Sequence, residues 1–406
     1  MTATPAPRTL IAGGTVVTRD GTHQDHALVI AGDRIVAVER ADSLDVQAGD
    51  VLVDARGAVV MPGMIDLHSD YVERMAAPRP TAVMDFRLAL REAERELIGH
   101  GVTTMYHSLS MYALDAFASN PVRSVEHSRR LIEAIASMHE ASHLIHHRFH
   151  ARYEIDNVER VDELKGYLER GMVHLLSFMD HTPGQGQYRD LEVFRETVKG
   201  YSNLDDTQVD ALIEKSQTRA KLTMEALEAL SAFARHHGVP VASHDDDSSE
   251  KLDVAARFGT QISEFPVSLA VAHEARQRGL HTLAGAPNVL LGGSHSNNLS
   301  ALEAVREGAI DILCSDYYPA ALLHAVFQLH REAPLALHDA VALVTCNAAD
   351  AAGIGHEVGD LAAGKRADVL IVDELADGMP VVRTAFASGV RAFEGRYRHS
   401  HHGAVA

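Results

Sequence analysis

The chain is poor in residue types that mark several classes of protein. Its 406 residues include no tryptophan, two cysteines (Cys314 and Cys346) and six lysines. Two cysteines exclude a disulfide framework and favour a reducing compartment, although one bridge between them stays open. No apolar run approaches the roughly 20 residues that span a bilayer. The first seven residues contain no basic region followed by an apolar run, so we expect no secretory signal and a cytoplasmic location.

Positive charge is also scarce. Lys and Arg number 37 against 56 Asp and Glu, which gives a net charge of −19. Such a surface repels nucleic acid and anionic membranes, so we expect neither as a partner. It would also repel an anionic substrate unless metal ions or local arginines offset the field. Arginine supplies most of the positive charge and suits bidentate binding of phosphate or carboxylate.

The two ends of the chain share a strand-rich pattern. Residues 8–60 are short apolar alternations broken by Gly and Asp. Within them, residues 27–38 predict a hairpin with Gly32 and Asp33 in the turn. Residues 367–373 and 381–390 return to this pattern near the other end. We therefore predict one small β-sandwich-like domain, assembled from residues 1–59 and 360–406.

The middle of the chain, residues 60–359, alternates short apolar strands with longer helical patterns. Residues 102–106, 239–244 and 310–316 are examples of these strands. Such alternation over about 300 residues predicts the α/β class and a closed (β/α)₈ barrel. A doubly wound open sheet is the alternative, but the sequence lacks the Gly-x-Gly-x-x-Gly turn that would support it.

Polar residues lie where the predicted barrel strands end, which is where barrel active sites form. They are His68, Asp70, Glu154, Asp180, His181, His244, Asp245, Glu264 and Asp316. Imidazole and carboxylate groups are the ligands of hydrolytic divalent-metal sites. His68 and Asp70 are two apart and could reach one ion, because such residues point the same way on a strand. Alternatively, Asp70 only orients His68. The chain has 26 histidines, so most are not ligands.

Several blocks resemble a known family. Pro62-Gly63-Met64-Ile65-Asp66-Leu67-His68 is similar to the first-strand motif of the amidohydrolase superfamily, and residues 101–104 and 364–368 resemble its other markers. Longer blocks resemble one subfamily, the α-D-ribose 1-methylphosphonate 5-triphosphate diphosphatases of phosphonate catabolism. These blocks are residues 67–71, 78–80, 179–187, 242–246, 264–266, 285–288, 292–296 and 311–319. The resemblance spans nearly the whole chain, including the split β-domain.

The resemblance implies a metal-dependent reaction in which water attacks the α-phosphorus of a ribose 5-triphosphate and releases pyrophosphate. One or two divalent ions are implied, with zinc expected first and manganese or iron as alternatives. By position, the implied metal ligands are His68, Asp70, Glu154, His181, His244 and Asp316. Asp316 and His244 are the implied catalytic residues, with Asp316 accepting the proton from water. Glu154 would link two ions, in place of the carbamylated lysine common in the superfamily.

A small anionic sugar phosphate is the implied substrate, and we expect a homo-oligomer. The candidate substrate-binding residues are Arg79, Arg152, Gln185, Gly293, Ser294 and His295. A solvated arginine, an ordinary glycine turn and a mobile loop are the plain alternatives for these positions. The insert at residues 188–235 predicts either a packing subdomain or oligomer surface, or a lid over the site.

Two departures from these patterns leave the metal count and the identity of the substrate open. The superfamily usually has His-x-His in its first strand, and here the third residue is Asp70, a change that the subfamily shares. The subfamily's second strand is more acidic and apolar than residues 106–111 of this chain, which bears on the substrate's identity. The alternative function is hydrolysis of an amide or cyclic amide at the same metal site. A barrel that has lost catalysis and serves as a binding protein is the third possibility.

Overall fold

The computed structural model describes residues 7–79, 81–113, 120–138, 141–183, 191–192, 195–196, 199, 205–292, 299–333 and 335–397. Its strands are β1 (Arg8–Ala12), β2 (Thr15–Thr18), β3 (Gly21–His23), β4 (His26–Ala31), β5 (Arg34–Arg40), β6 (Val51–Asp54), β7 (Val59–Pro62), β8 (Met64–Ser69), β9 (Val102–Met111), β10 (His146–Glu154), β11 (Leu175–Met179), β12 (Val241–His244), β13 (Ile262–Glu264), β14 (His281–Gly285), β15 (Ile312–Cys314), β16 (Val369–Glu374), β17 (Pro380–Ala387) and β18 (Val390–Glu394).

The helices of the described residues are α1 (Tyr71–Ala76), α2 (Phe86–His100), α3 (Val125–Met138), α4 (Val161–Glu169), α5 (Asp206–Thr218), α6 (Met224–His236), α7 (Ser249–Arg257), α8 (Leu269–Gln277), α9 (Ala286–Leu290), α10 (Ala301–Arg306), α11 (Ala321–Glu332), α12 (Leu337–Ala342) and α13 (Cys346–Ala351). Short 3₁₀ turns occupy Ala41–Ser43, Pro121–Arg123 and Val158–Arg160. Of the helices in these ranges, none is both long enough and apolar enough to cross a membrane.

Strands β8 to β15 form one parallel sheet in chain order, with helices in the connections. The sheet closes where β8 meets the end of β15. There Ser69 and Asp316 form a parallel bridge, and the Asp316 N–H donates to the His68 carbonyl at 3.0 Å. The Asp70 N–H in turn donates to the Asp316 carbonyl at 3.0 Å. The predicted α/β barrel is confirmed, and closure brings the first and last strand ends together.

Alternation along the strands separates an apolar layer from a polar layer inside the barrel. Ala242, Ile262 and Leu283 pack in one buried apolar cluster with Tyr106. Side chains two residues apart on a strand share a face, so the residues two positions after Ala242 and Ile262 point the same way. Those residues are His244 and Glu264. The sequence of each short strand therefore places a polar group above the apolar layer, at the carboxyl end of the barrel.

The chain ends build two further sheets. One has the order β5-β4-β1-β6, and the other has the order β18-β17-β16-β7-β2-β3, which mixes both ends of the chain. The predicted hairpin is present, since β4 and β5 are antiparallel and Gly32 has a positive φ of 60° in their turn. Ile11 and Leu28 of the first sheet share a buried cluster with Val60 and Ile371 of the second. The predicted β-domain from both ends is confirmed as two packed sheets.

The terminal sheets are tied to the barrel near the start of β8. The Gly63 N–H donates to the Asp368 carbonyl at 2.9 Å. The buried Asp368 carboxylate accepts from the Ser388 N–H at 2.7 Å and lies 3.3 Å from His146 Nε2. Strand β7 lies in the six-stranded sheet and β8 begins at Met64. The domain division at residues 59/60 and 359/360 stays a prediction.

Candidate metal centre

Three buried side chains from three barrel strands converge at the carboxyl end of the barrel. His68 is the penultimate residue of β8, His244 is the last residue of β12 and Glu264 is the last residue of β13. Each offers one possible ligand atom, and these atoms lie within 4.8 Å of one another. His68 Nδ1 is 3.0 Å from Glu264 Oε1. Two imidazoles and a carboxylate are a donor set that binds divalent transition metals.

Polar atoms in this cluster lack hydrogen-bond partners among the described residues. They are both ring nitrogens of His244 and Oε2 of Glu264. His244 Nδ1 lies 2.9 Å from Asp245 Oδ2, which is an ion-pair distance without hydrogen-bond geometry. A buried polar group left without a partner costs about 1–3 kcal/mol. Such groups call for an explanation in a native structure, and an ion is one of the explanations. The donor set therefore fits a divalent cation.

His150 of β10 packs beneath the cluster. Its ring centroid is 5.1 Å from that of His68, and its Nε2 is 3.8 Å from Glu264 Oε2. His150 also makes hydrogen bonds with Ser177 Oγ at 2.7 Å and Ser108 Oγ at 3.0 Å. Burial lowers the pKa of His150 to about 3. Burial, followed by the charge of Arg152, holds the pKa of His68 well below its usual value. Both imidazoles are thus neutral, the form that binds metals.

Glu154 and His181 form a second pair at the same end of the barrel. Glu154 Oε1 lies 2.6 Å from His181 Nδ1, and the Glu154 side chain is buried. Glu154 ends β10, and His181 comes two residues after β11 ends. The structure thus brings these two predicted ligands together, whereas the cluster of three described above contains neither of them.

Asp316 and Asp70 lie at the closing seam of the barrel. Asp316 comes two residues after β15 and has a positive φ of 59°. A Cβ added to Gly285 would lie 3.8 Å from Asp316 Oδ2, so β14 faces this carboxylate with a residue that leaves it room. Asp70 precedes α1, and its carboxylate lies 3.3 Å from the Arg123 guanidinium. Asp70 is therefore paired with an arginine and is not part of the three-residue cluster.

The backbone is strained within two residues of the ends of three barrel strands. Positive φ values occur at Asp245 (54°), Phe265 (54°) and Asp316 (59°). Non-glycine residues adopt this region at a cost, and such residues concentrate at functional sites. At Asp245, burial raises the carboxyl pKa, but the nearby His244 reverses this and lowers the pKa to about 2. The mouth of the barrel thus holds an ionised carboxylate beside a candidate ligand.

The predicted substrate-binding residues have different positions. Arg152 is two residues from both His150 and Glu154 on β10, so it shares their face. Its Nε atom is buried and has no hydrogen-bond partner among the described residues. Arg79 is exposed on the loop after α1. The predictions at Gln185, Gly293, Ser294 and His295 fall outside the described residues.

Sequence reasoning missed two members of the site. Glu264 appears among the strand-end residues above, but it is absent from the implied ligands. His150 was not singled out at all. The two-residue alternation of β10 could have found it, because His150, Arg152 and Glu154 are spaced for one face.

The sequence of the barrel and of part of the terminal sheets matches a known protein family. A family profile described as the amidohydrolase family matches residues 59–394. The chain belongs to this family. Members of the amidohydrolase superfamily are hydrolases and are typically metal-dependent, and His68, His244 and Glu264 form a possible metal site in this amidohydrolase. The metal's identity is a separate question from this donor set.

Individual relatives agree with the family assignment. An α-D-ribose 1-methylphosphonate 5-triphosphate diphosphatase of Escherichia coli (strain K12) is 32% identical over 349 residues, covering 81% of this chain and 90% of that protein. An imidazolonepropionase of Thermoplasma volcanium is 20% identical over 391 residues, covering 91% of each chain. The solved structure of molinate hydrolase superposes with a TM-score of 0.64 at 16% identity, covering 95% of this chain and 94% of that chain. At 16% identity, the likeness to molinate hydrolase shows a shared fold.

Proposed function

We propose that this amidohydrolase cleaves α-D-ribose 1-methylphosphonate 5-triphosphate to the 5-phosphate and pyrophosphate. The diphosphatase of E. coli supports this proposal, because the chain matches it over 90% of its length at 32% identity. The runner-up is hydrolysis of an amide or cyclic amide at the same centre. The two substrates differ most in charge, so the charged groups beside the candidate metal centre discriminate between them.

The half-buried Arg152, whose Nε atom is buried, is the observation that favours the anionic substrate. Its guanidinium acts electrostatically on His68 and His150, where it contributes to their lowered pKa values. Within the part of the chain that the structure describes, its Nε atom has no hydrogen-bond partner. A phosphate oxygen would satisfy that donor by a charge-assisted hydrogen bond, whereas a neutral amide would leave its charge uncompensated.

The metal would be held by His68, His244 and Glu264, with Glu154 and His181 as the ligands of a second ion. A bound divalent ion would lower the pKa of water and polarise the P–O bond at this centre. Zinc is the first candidate, followed by manganese and iron. Asp70 is the weakest of the predicted ligands, because its carboxylate lies 3.3 Å from the Arg123 guanidinium and outside the three-residue cluster.

The chain's own residues would then complete the reaction. The water oxygen forms a bond to the α-phosphorus, and the bond from that phosphorus to the oxygen leading to the β-phosphorus breaks. Pyrophosphate leaves with that oxygen, and Asp316 accepts a proton from the attacking water. Arg152 donates hydrogen bonds to the phosphate oxygens, while Arg79, on the loop after β8 and α1, would contact the outer phosphates.

Phosphorus NMR on zinc-loaded enzyme given the triphosphate tests the proposal. The expected products are pyrophosphate and a 5-phosphate. Arg152→Met should lower kcat/KM for the triphosphate by about 10–100-fold, the value of a charge-assisted hydrogen bond of about 1.5–3 kcal/mol. Arg79→Ala should lower it by about tenfold, because an exposed cation is better screened. The matched control is Arg95→Ala, which removes an exposed arginine paired with Glu92 on α2.

A panel of cyclic amides separates the two candidate functions. The triphosphate reaction predicts that both arginine variants lose triphosphate turnover while any turnover of a neutral amide is unchanged. If metal-loaded enzyme leaves the triphosphate intact and hydrolyses a cyclic amide, the proposal is wrong and the runner-up takes its place. Equal losses on both substrates would remove charge recognition as the basis of specificity.

A further inference from the structure

An aromatic residue in an unfavourable backbone conformation lies directly beside the candidate metal centre. Phe265 follows Glu264 and has a φ of 54°. For a bulky side chain, this left-handed region is a conformational outlier. Its N–H donates to the Leu283 carbonyl at 2.8 Å, so the residue is anchored to the next barrel strand. Strain of this kind persists only where the surrounding structure enforces it.

The unusual φ has a geometric consequence. In a strand that continued regularly, residues 264 and 265 would point to opposite faces of the sheet. Here the Glu264 carboxylate contacts His68, and the Phe265 ring contacts the same histidine. The left-handed turn therefore brings two consecutive side chains to one cluster, which an extended backbone does not do.

The Phe265 ring contacts both candidate ligand histidines. Its centroid lies 5.0 Å from the His68 ring at an interplanar angle of 87°, and 5.2 Å from the His244 ring at 49°. The two histidine rings are themselves 5.4 Å apart. Phe265 also packs against the apolar cluster inside the barrel. The ring thus fills the space beside both imidazoles.

Packing has particular weight for His244. Neither of its ring nitrogens makes a hydrogen bond with a described residue. Ligand histidines are usually oriented by a hydrogen bond from the nitrogen that does not bind the metal. In this site Asp245 Oδ2 lies 2.9 Å from His244 Nδ1, and the contacts with Phe265 and His68 restrict the ring further.

We propose that Phe265 is a positioning residue, which holds the His68 and His244 rings so that their nitrogens converge with the Glu264 carboxylate. The inference rests on the metal site of the proposed function and is independent of the triphosphate substrate. The strained backbone is the cost of placing this ring beside the ligands. Removing the ring weakens metal binding even in a chain that folds well.

The test measures zinc affinity and metal-free stability separately. Metal-free protein is titrated with Zn²⁺ against a chelator of known affinity, and the metal-free chains are melted by circular dichroism. Phe265→Ala and Phe265→Gly should lose about 10–100-fold in zinc affinity, the usual effect of removing a group that orients a ligand. Phe265→Tyr keeps the ring and should stay within about threefold of the wild type. Phe265→Gly should melt above Phe265→Ala, because glycine adopts positive φ without strain.

Two further variants serve as controls. Ser388→Gly relieves another positive φ (49°), in the turn between β17 and β18, and should leave zinc affinity unchanged. Phe265→Leu keeps much of the apolar volume and should still bind zinc more weakly than Phe265→Tyr does. Unchanged zinc affinity in the folded Leu, Ala and Gly variants would overturn the proposal, as would an equal loss in the Tyr variant. A wild-type chain that binds no zinc would overturn the metal site itself, which is a different result from failure to hydrolyse the triphosphate.

Discussion

Two buried groups of the same composition lie on opposite sides of the barrel wall. The inner triad is His68, His244 and Glu264. The outer triad is His107 of β9, His147 of β10 and Glu94 of α2. All six side chains are buried. His107 neighbours Ser108 on its strand and therefore points away from the interior face, toward the helix layer. Residue type and burial alone do not tell the two triads apart.

Hydrogen bonding does distinguish them. In the outer triad, His107 Nε2 lies 2.9 Å from His147 Nδ1, and His147 Nε2 lies 3.1 Å from Glu94 Oε2. Glu94 also accepts from the Leu144 N–H at 2.9 Å and from Arg91 at 2.8 Å. In the inner triad, the His244 nitrogens and one Glu264 oxygen make no hydrogen bond with a described residue, although His244 Nδ1 lies 2.9 Å from Asp245 Oδ2. We infer that the outer triad stabilises the fold, while the inner triad is organised for a ligand.

The largest predicted effect is a pair of opposite outcomes, one for a substitution in each triad. His244→Ala should abolish metal binding and reduce turnover to background, because it removes a ligand. It should cost less metal-free stability than His147→Ala does, because His244 makes no hydrogen bond with a described residue and loses only its 2.9 Å ion pair with Asp245. His147→Ala should keep full metal content and turnover but lower the free energy of unfolding by about 1–3 kcal/mol, since it leaves Glu94 buried with fewer partners.

Metal content per chain, phosphorus NMR and urea denaturation measure the three quantities on both variants. The distinction between the triads fails if His147→Ala loses metal as well, or if His244→Ala binds a full complement of metal. A large loss of metal-free stability in His244→Ala would show that the inner triad is also structural.

The second prediction concerns Asp316 at the mouth of the barrel. Asp316→Asn keeps the size of the side chain but loses the ability to take a proton. If Asp316 is the proton acceptor, the variant should retain most of its metal while kcat falls by about 10²–10⁴-fold, the usual contribution of a general base. Steady-state kinetics and metal analysis on the same preparation test this. Near-normal turnover would remove Asp316 from the mechanism.

The sequence was sufficient for most of the fold because alternation and turn chemistry are local properties. The strand–helix order predicted the barrel, and Gly32 predicted the turn of the hairpin in the terminal sheets. Apolar residues at helical spacing over residues 218–236, followed by Gly238, predict a helix that begins at Thr218, but α6 begins only at Met224. The residues just before α6 instead bind the ends of β10 and β11. There Lys221 pairs with Asp180 at 2.9 Å, and the Leu222 N–H donates to the Ile155 carbonyl at 2.8 Å.

The site could be predicted in part, for a related reason. His68 and His244 end apolar strands, which is a local pattern, and the structure places them within reach of each other. The pairing of Asp70 with Arg123 depends on residues 53 apart in the chain, and no local pattern indicates it. The ring of Phe265 beside both histidines depends on a single backbone angle, which composition and spacing do not reveal. The catalytic and metal-binding roles themselves stay predictions.

The smallest predicted effect concerns the outer triad and pH. Burial lowers the pKa of His147 from its ordinary value of 6.5, although Glu94 opposes the shift. The folded chain therefore takes up the His147 proton at a lower pH than the unfolded chain does. The unfolded state binds more protons over that interval, so stability declines as pH falls below 6.5 toward the folded pKa. His147→Gln, which does not titrate, should show a shallower decline than the wild type.

Urea denaturation of metal-free protein at steps from pH 7 to pH 5 measures the two slopes. His236→Gln is the matched control, since it changes an exposed histidine on α6 and should keep the wild-type slope. His150 and His68 are also buried with lowered pKa values, so part of the acid sensitivity persists in every variant. If His147→Gln keeps the whole wild-type slope, the other histidines with lowered pKa values account for it, namely His68, His150, His100 and His324. The outer triad would then stabilise the fold through hydrogen bonds that acid does not break in this range.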